Sequence, residues 1–333
     1  MQKILRFLKK AIPLYLKARR HGGDLVLVND RTTHIKADDV LAFVVLRNEA
    51  VRIPYFLDYY RKLGVNHFLF VDNDSNDGFL DVIGAASDCS VWHTCASYKE
   101  AKYGVYWLNY LLRRYGSGHW CLTLDPDEFL VYPYCHSRSV RELAQYLEQE
   151  GKPSFFTVML DMYGEGLVDE ALYKPGQDPL EVCPWFDASG YFQDRRPNYG
   201  EWWIRGGVRR RVFFADQPDL SPALNKTVLV KWRWYYAYIA STHIVWPKRL
   251  NNPHFSDTLA PTGCLLHFKY LAAFREKAEE ELERKQHYAG SLEYDRYLTG
   301  LNDNLCLWTS ASVRFQSWQH CVDLGLMNIG RWF

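Results

Sequence analysis

Residues 40–71 read VLAFVVLRNEAVRIPYFLDYYRKLGVNHFLFV. The first seven, Val40 to Leu46, are apolar without interruption, which marks a strand covered on both faces. Pro54 suits the first position of a helix and Gly64 suits its stop, so a helix is predicted from about Pro54 to Leu63. Phe56, Leu57, Tyr60 and Leu63 give that helix one apolar face. His67 to Val71 reads as a second buried strand. Strand, short helix and strand make a βαβ unit and therefore a parallel pair. The expected fold class is α/β, with a mostly parallel central sheet flanked by helices.

Working outward, the polar loop Asp72-Asn73-Asp74-Ser75-Asn76-Asp77-Gly78 leads into a helix near Phe79, and a longer helix is predicted from about Glu100 to Tyr115. Trp120 to Leu124 is a third buried strand that stops at Asp125-Pro126-Asp127-Glu128; Phe129 to Val131 continues extended. Ser154 to Leu160 is another strand and ends in Asp161. The second half is less regular. Residues 175–197 read as loop, Val208 to Phe214 and Thr227 to Trp232 as strands, and Phe274 to His287 as a helix with Glu and Lys on its exposed face. The expected organisation is a basic amphipathic leader over 1–37, one domain over 38–290 and a helical extension over 291–333.

A formal net charge of +1 gives no reason to expect nucleic acid or another polyanion as partner. None of the eight cysteines forms a CxxC pair, so no structural zinc site is expected, and reduced thiols in a cytoplasmic protein are the simplest reading. No cleavable signal peptide is evident. In the leader, Lys3, Arg6, Lys9, Lys10, Lys17, Arg19 and Arg20 interleave with apolar residues, and no acid interrupts them. The stretch is too short and too charged to span a bilayer. Residues 1–20 lie on an anionic inner membrane face, dock on the domain, or fray; Pro13 would kink or divide such a helix. Aromatic residues reach 16%, and Trp202, Trp203, Trp232, Trp234, Tyr235 and Tyr236 are either core or platforms for sugars and bases.

Ligands of open parallel sheets bind beyond the carboxyl ends of the strands. Three acidic clusters stand at such ends: Asp72 to Asp77, Asp125 to Glu128, and Asp161. Residues two apart on a strand share a face, so Asp125 and Asp127 can point the same way. Two carboxylates that close repel unless a cation sits between them, and hard oxygen ligands suit Mg²⁺ or Mn²⁺. The alternative is a solvated turn cornered by Pro126. The loop from Asp72 fails as a calcium hand, because its sixth and twelfth positions hold Asp77 and Ile83. It is either a helix-capping turn or a contact for the edge of a base. Arg209 and Arg211 alternate on the predicted strand and could face a diphosphate together, with Lys226 and Lys269 as weaker candidates.

Leu46-Arg47-Asn48-Glu49-Ala50, Phe70 to Gly78 and Leu124-Asp125-Pro126-Asp127-Glu128-Phe129, in that order, resemble family 2 glycosyltransferases of the GT-A fold. The likeness is to a bacterial branch with a DPDEF motif, and extends through Leu160-Asp161-Met162-Tyr163, Gly206 to Arg211 and Leu265-Leu266-His267-Phe268-Lys269, covering about Val40 to Gln286. It implies a nucleotide-diphosphate sugar donor, a divalent metal, an acceptor hydroxyl on a glycan or glycolipid, and a role in cell-surface polysaccharide or lipopolysaccharide synthesis. It sets Arg47 and Asn48 beside the nucleotide, Asp72 or Asn73 at the base, Asp125 toward the ribose, and Asp127 on the metal. His267 is the family's late metal ligand, with His243 as competitor. The family's acid-rich motif after the D-x-D is not evident, so Asp161, then Glu165 and Asp187, are the candidate bases for an inverting transfer.

Two rival readings stand beside this one. A nucleotidyltransferase would need a glycine-rich phosphate loop after the first strand, and Leu46 to Arg52 holds no glycine. A non-catalytic carbohydrate-binding protein would have no use for paired acids at a strand end.

Overall fold

The computed structural model describes residues 2–196, 201–239, 241–251, 260–284, 296–297 and 305–332. The chain opens with α1 (Gln2–Gly22) and β1 (Val26–Asn29). The βαβ unit follows as β2 (Val40–Leu46), α2 (Ile53–Lys62) and β3 (His67–Asp72), then α3 (Phe79–Ile83) and β4 (Cys89–His93). Next come α4 (Val105–Leu111), β5 (Trp120–Leu124), β6 (Glu128–Val131), α5 (Val140–Gln149) and β7 (Ser154–Asp161). Short strands β8 (Trp185–Phe186), β9 (Phe192–Arg196) and β10 (Glu201–Arg205) precede β11 (Asn225–Lys231). The hairpin β12 (Ala237–Tyr238) and β13 (Val245–Trp246) leads to β14 (Gly263–His267) and α6 (Phe274–Arg284). β15 (Val313–Arg314) and α7 (Trp318–Asp323) close the described chain.

Nine strands form one mixed sheet in the order β1-β4-β3-β2-β5-β11-β7-β14-β6. β2, β3, β4, β5, β7 and β14 run one way, and β1, β11 and β6 run the other. The sheet is therefore parallel in its first half and mixed in its second.

Strand alternation divides the core into two layers. Val40, Ala42, Val44, Phe68 and Phe70 pack toward Ile53, Phe56, Leu57 and Tyr60 of α2. Leu41, Phe43, Leu69 and Val71 pack toward Val105, Trp107, Leu108 and Leu111 of α4. Each Val, Leu or Phe among them contributes about 1.5–3 kcal/mol by leaving water, which explains why β2 is wholly apolar and β3 is apolar from Phe68 to Val71. α2 stops where Gly64, at φ 94°, takes a backbone conformation that side-chain-bearing residues rarely adopt. Ser139 and Glu142 close a reciprocal capping box at the start of α5.

Several boundaries differ from the sequence reading. The leader docks on the domain, one of the three placements expected for it. α1 runs on through Pro13 and packs on α4: the His21 ring stacks on Tyr106, the Arg113 guanidinium covers Tyr15, and Gly22 lies flat against Tyr110. β1 then adds an antiparallel edge to β4. Residues 208–214 are not a strand; they wind into a helical turn of π geometry over Arg209–Phe213. The helix read from Glu100 begins only at Val105, after Gly104 at φ 74°. The stretch read as loop from residue 175 holds β8 and β9. Of the C-terminal extension, 291–295 and 298–304 lie outside the described residues, as do 285–287 of the predicted helix at 274. The described part of the extension holds one six-residue helix and a strand paired to β8, with Trp318, Cys321, Met327 and Trp332 in the main core. All eight cysteines are free thiols. Among the described residues no helix is long and apolar enough to cross a membrane.

Candidate functional site

The parallel strands β2, β3, β5, β7 and β14 end on the same edge of the sheet, and their last residues or the next ones are Arg47, Asn73, Asp125, Asp161 and His267. A cleft of about 250 Å³ opens there. Arg47, Glu49, Asn73, Tyr98, Asp125, Asp127, His267 and Lys269 line it, and α6 covers it with Lys277, Glu280 and Arg284.

Register brings the acids to the histidine. β14 lies between β7 and β6, with His267 opposite Asp161 on one side and Glu128 on the other. Asp127 precedes Glu128, and its carbonyl accepts the Phe268 N–H at 2.9 Å. The His267 Nε2 thus stands 3.3 Å from Asp127 Oδ2, and its Nδ1 stands 2.6 Å from Asp161 Oδ1. Arg209 donates from Nε and Nη2 to the two Asp161 oxygens, at 2.9 and 2.6 Å. Burial disfavours charge on all of these groups, but their mutual attraction outweighs it. Asp127 and Asp161 are held well below the usual carboxylate range, and His267 is raised to about 9.

The same turn serves a second cluster. Lys226 on β11 is fully buried and reaches Glu128 Oε2 at 2.5 Å and Asp125 Oδ2 at 3.3 Å. Burial opposes its charge, but Asp125 and Glu128 outweigh this and raise its pKa. The Glu128 side chain also accepts the Asp125 N–H at 2.9 Å, which holds the turn shut.

Not every expected residue reaches the cleft. β5 ends at Leu124, and Asp125 to Asp127 form a turn, so strand alternation does not extend across them. Both carboxylates line the cleft, yet they go to different partners: Asp127 to His267, and half-exposed Asp125 to Lys226. Asp125, Asp127 and His267 do not close into a three-donor cluster among the described residues. Asp161 is buried with both oxygens engaged, which leaves it no face for an acceptor. Glu165 is exposed on a loop, and Asp187 is paired with Arg211 and the Tyr163 hydroxyl; neither lines the cleft. Arg209 and Arg211 therefore hold carboxylates rather than a phosphate, because the π turn replaces the strand that would have aligned them. Of Asp72 and Asn73, the amide lines the cleft, while Asp72 is buried against His93 and the Ser75 N–H. Asn48 braces the following loop through Ser75 and Asn76. His243 gives its Nδ1 to the Asn225 carbonyl at 2.6 Å; burial pushes its pKa down to about 4. Trp232 and Tyr236 are core residues, and Trp234 is exposed away from the cleft.

Sequence reasoning missed Tyr98, Glu49 and the α6 residues. Lys277 and Glu280 looked like a solvated helix face. In the fold they are tied across the cleft, Lys277 to Glu49 and Glu280 to Arg47 at 3.0 Å.

No protein-family model matches the chain, and no curated protein matches it.

The donor set fits one divalent cation. With ligand lengths of about 2.1 Å, neighbouring donor atoms on a metal stand about 3.0–3.4 Å apart, which the 3.3 Å between His267 Nε2 and Asp127 Oδ2 satisfies. His267 Nδ1–H donating to buried Asp161 would leave Nε2 as the ligand atom, the usual support for a metal-binding imidazole. Two protein donors would leave further coordination positions open.

Proposed function

We propose that this chain is a metal-dependent glycosyltransferase of GT-A type, close to family 2, moving a sugar from a nucleotide-diphosphate donor to a hydroxyl on a glycan or glycolipid. One observation carries the reading: a two-ligand carboxylate–imidazole pair faces a cleft at the carboxyl edge of the sheet, under a rim of cations. Arg47, Lys269, Lys277 and Arg284 line that cleft, and Arg47 and Lys277 would exchange Glu280 and Glu49 for a diphosphate. Tyr98 and Asn73 suit the base end, the first by its ring and the second by its amide.

Asp127 and His267 would hold Mn²⁺ or Mg²⁺, which when bound neutralises charge on a departing diphosphate oxygen. Asp161 and Arg209 orient His267 and fix which nitrogen faces the cleft. Lys226 sets the position of Asp125 from beneath. α6 keeps water from the donor when the Lys277–Glu49 and Arg47–Glu280 pairs are made, and those pairs must loosen to admit it. A cytoplasmic setting on the inner membrane face, in cell-surface polysaccharide or lipopolysaccharide synthesis, suits both the free thiols and the basic α1.

Calorimetry with uridine and guanosine diphosphates, with and without Mn²⁺, tests the reading. Metal-dependent binding that disappears in Asp127→Ala is expected. Binding of free sugars alone would point to a carbohydrate-binding protein. Metal-dependent turnover of a nucleoside triphosphate with pyrophosphate release would point to a nucleotidyltransferase. Either outcome would sink the proposal.

A further inference from the structure

We propose a second metal site, for a thiophilic divalent ion of the Zn²⁺ class, on Asp74, His93 and Cys95. None of the three lines the cleft, and the site does not depend on the glycosyltransferase reading.

Among the described residues this is the one place where three side chains of ligating type bring donor atoms within 4.8 Å of one another. His93 Nε2 stands 3.3 Å from Cys95 Sγ, and Cys95 Sγ stands 3.6 Å from Asp74 Oδ1. Zinc bonds of about 2.0–2.3 Å at tetrahedral angles put such atoms about 3.5 Å apart. The spacing of the side chains is thus already that of a metal's ligands, with the solvent side left for a fourth.

The histidine is also prepared. Its Nδ1 stands 3.1 Å from Oδ2 of Asp72, a residue only 1% exposed. With the Nδ1 proton donated there, the Nε2 lone pair is directed at the thiol. A carboxylate behind a ligating imidazole is a recurrent outer support of zinc sites. Asp72 is itself fixed, since its Oδ1 accepts the Ser75 N–H at 3.0 Å. The backbone is fixed as well: the Thr94 N–H reaches the Asp72 carbonyl, and the Asn73 amide donates to the carbonyls of Thr94 and Ala96. Charge closes too. A thiolate and the Asp74 carboxylate balance a divalent ion; Arg47 stands 3.5 Å from Asp74 Oδ2 and donates to the carbonyls of Asn73 and Asp74, so Oδ1 is the carboxylate oxygen turned to the thiol. Thiolate and imidazole together favour zinc over the hard ions suited to Asp127. Cysteine spacing could not have revealed this, because the ligands come from two different strand ends.

The test uses the full chain, stripped with chelator and titrated with Co²⁺ as a coloured substitute for Zn²⁺. One equivalent should develop thiolate-to-cobalt charge-transfer absorption and the intense visible bands of four-coordination, and Zn²⁺ should bleach both. Cys95→Ser should remove the charge-transfer band and weaken Zn²⁺ about tenfold or more, and Asp72→Asn should weaken it about 10–100-fold. Cys306→Ser, which alters the other exposed thiol, and Asp127→Asn should both leave the band in place. A wild-type chain that takes up no stoichiometric Co²⁺, or a band that survives Cys95→Ser, overturns the site. A band lost in Asp127→Asn and kept in Cys95→Ser would do the same.

Discussion

His267 beside Asp127 and His243 beside Asn225 are pushed in opposite directions by their environments. His267 lies between Asp127 and Asp161 and is held charged to about pH 9. His243 is half-buried; desolvation opposes its charge, Lys226 adds to the cost, and it stays neutral down to about pH 4. The residue type is the same and desolvation opposes the charge on both. What differs is the sign of the nearest fixed charge, which decides whether burial is overcome. The turn therefore pairs Asp127 with a charged His267, while Lys226 holds Asp125 and Glu128.

The sharpest way to break this contrast is to remove Asp127. Asp127→Ala should lower metal-dependent turnover by about 10²–10³-fold or more while the chain still folds, at a melting temperature lowered by loss of the His267 pair. Full turnover in this variant would show that Asp127 does not hold the metal.

Removing Lys226 attacks the other pairing. Lys226→Met leaves Glu128 buried without its cation and should cost about 3–5 kcal/mol, read by denaturant unfolding. Adding Glu128→Gln should recover part of the loss, since the two groups are directly paired. A cost below about 1 kcal/mol for the single variant would show that Lys226 does not stabilise the turn as argued.

Asp161→Asn should leave His267 in place but loosen its orientation. Mn²⁺ affinity should fall about 10–100-fold, and the KM for metal should rise more than kcat falls. Unchanged metal affinity would mean that the Asp161–His267 bond serves packing alone.

The smallest effect is in the pH dependence of stability, measured with chelator present. The folded pKa of His243 lies below its unfolded value near 6.5, so its contribution is complete above that pH and declines as pH falls toward about 4. The folded pKa of His267 lies above its unfolded value, so its contribution is complete below about 6.5 and is lost as pH rises through about 9. His243→Gln and His267→Gln should each flatten its own limb of the stability profile. If either variant flattened the opposite limb, the assignment of signs would be reversed.

The two halves of the sheet also differ in how openly the sequence displays them. In β2, α2, β3 and β5, apolar runs, a proline start and a glycine stop are local signals, and the structure follows them within a residue or two. Arg209 shows the limit. Its alternation with Arg211 reads as a strand face, but Gly206 and Gly207, at φ 159° and 62°, admit a turn that buries Arg209 on Asp161. Lys277 and Glu280 have the same limit, since helix periodicity shows that they share a face and not what that face meets.

Residue order alone determined that acids would gather at the carboxyl edge of an α/β sheet, because uninterrupted apolar strands must be buried and can turn polar only where they end. Tertiary structure decided which acid meets which cation. Asp127 and Asp161 both meet His267 through the register of β6, β14 and β7, strands whose pairing partners lie far apart in the chain, and Asp161 meets Arg209 through the π turn. Electrostatic attraction falls with distance in space, and no local pattern along the chain records which distant residues the sheet will set side by side.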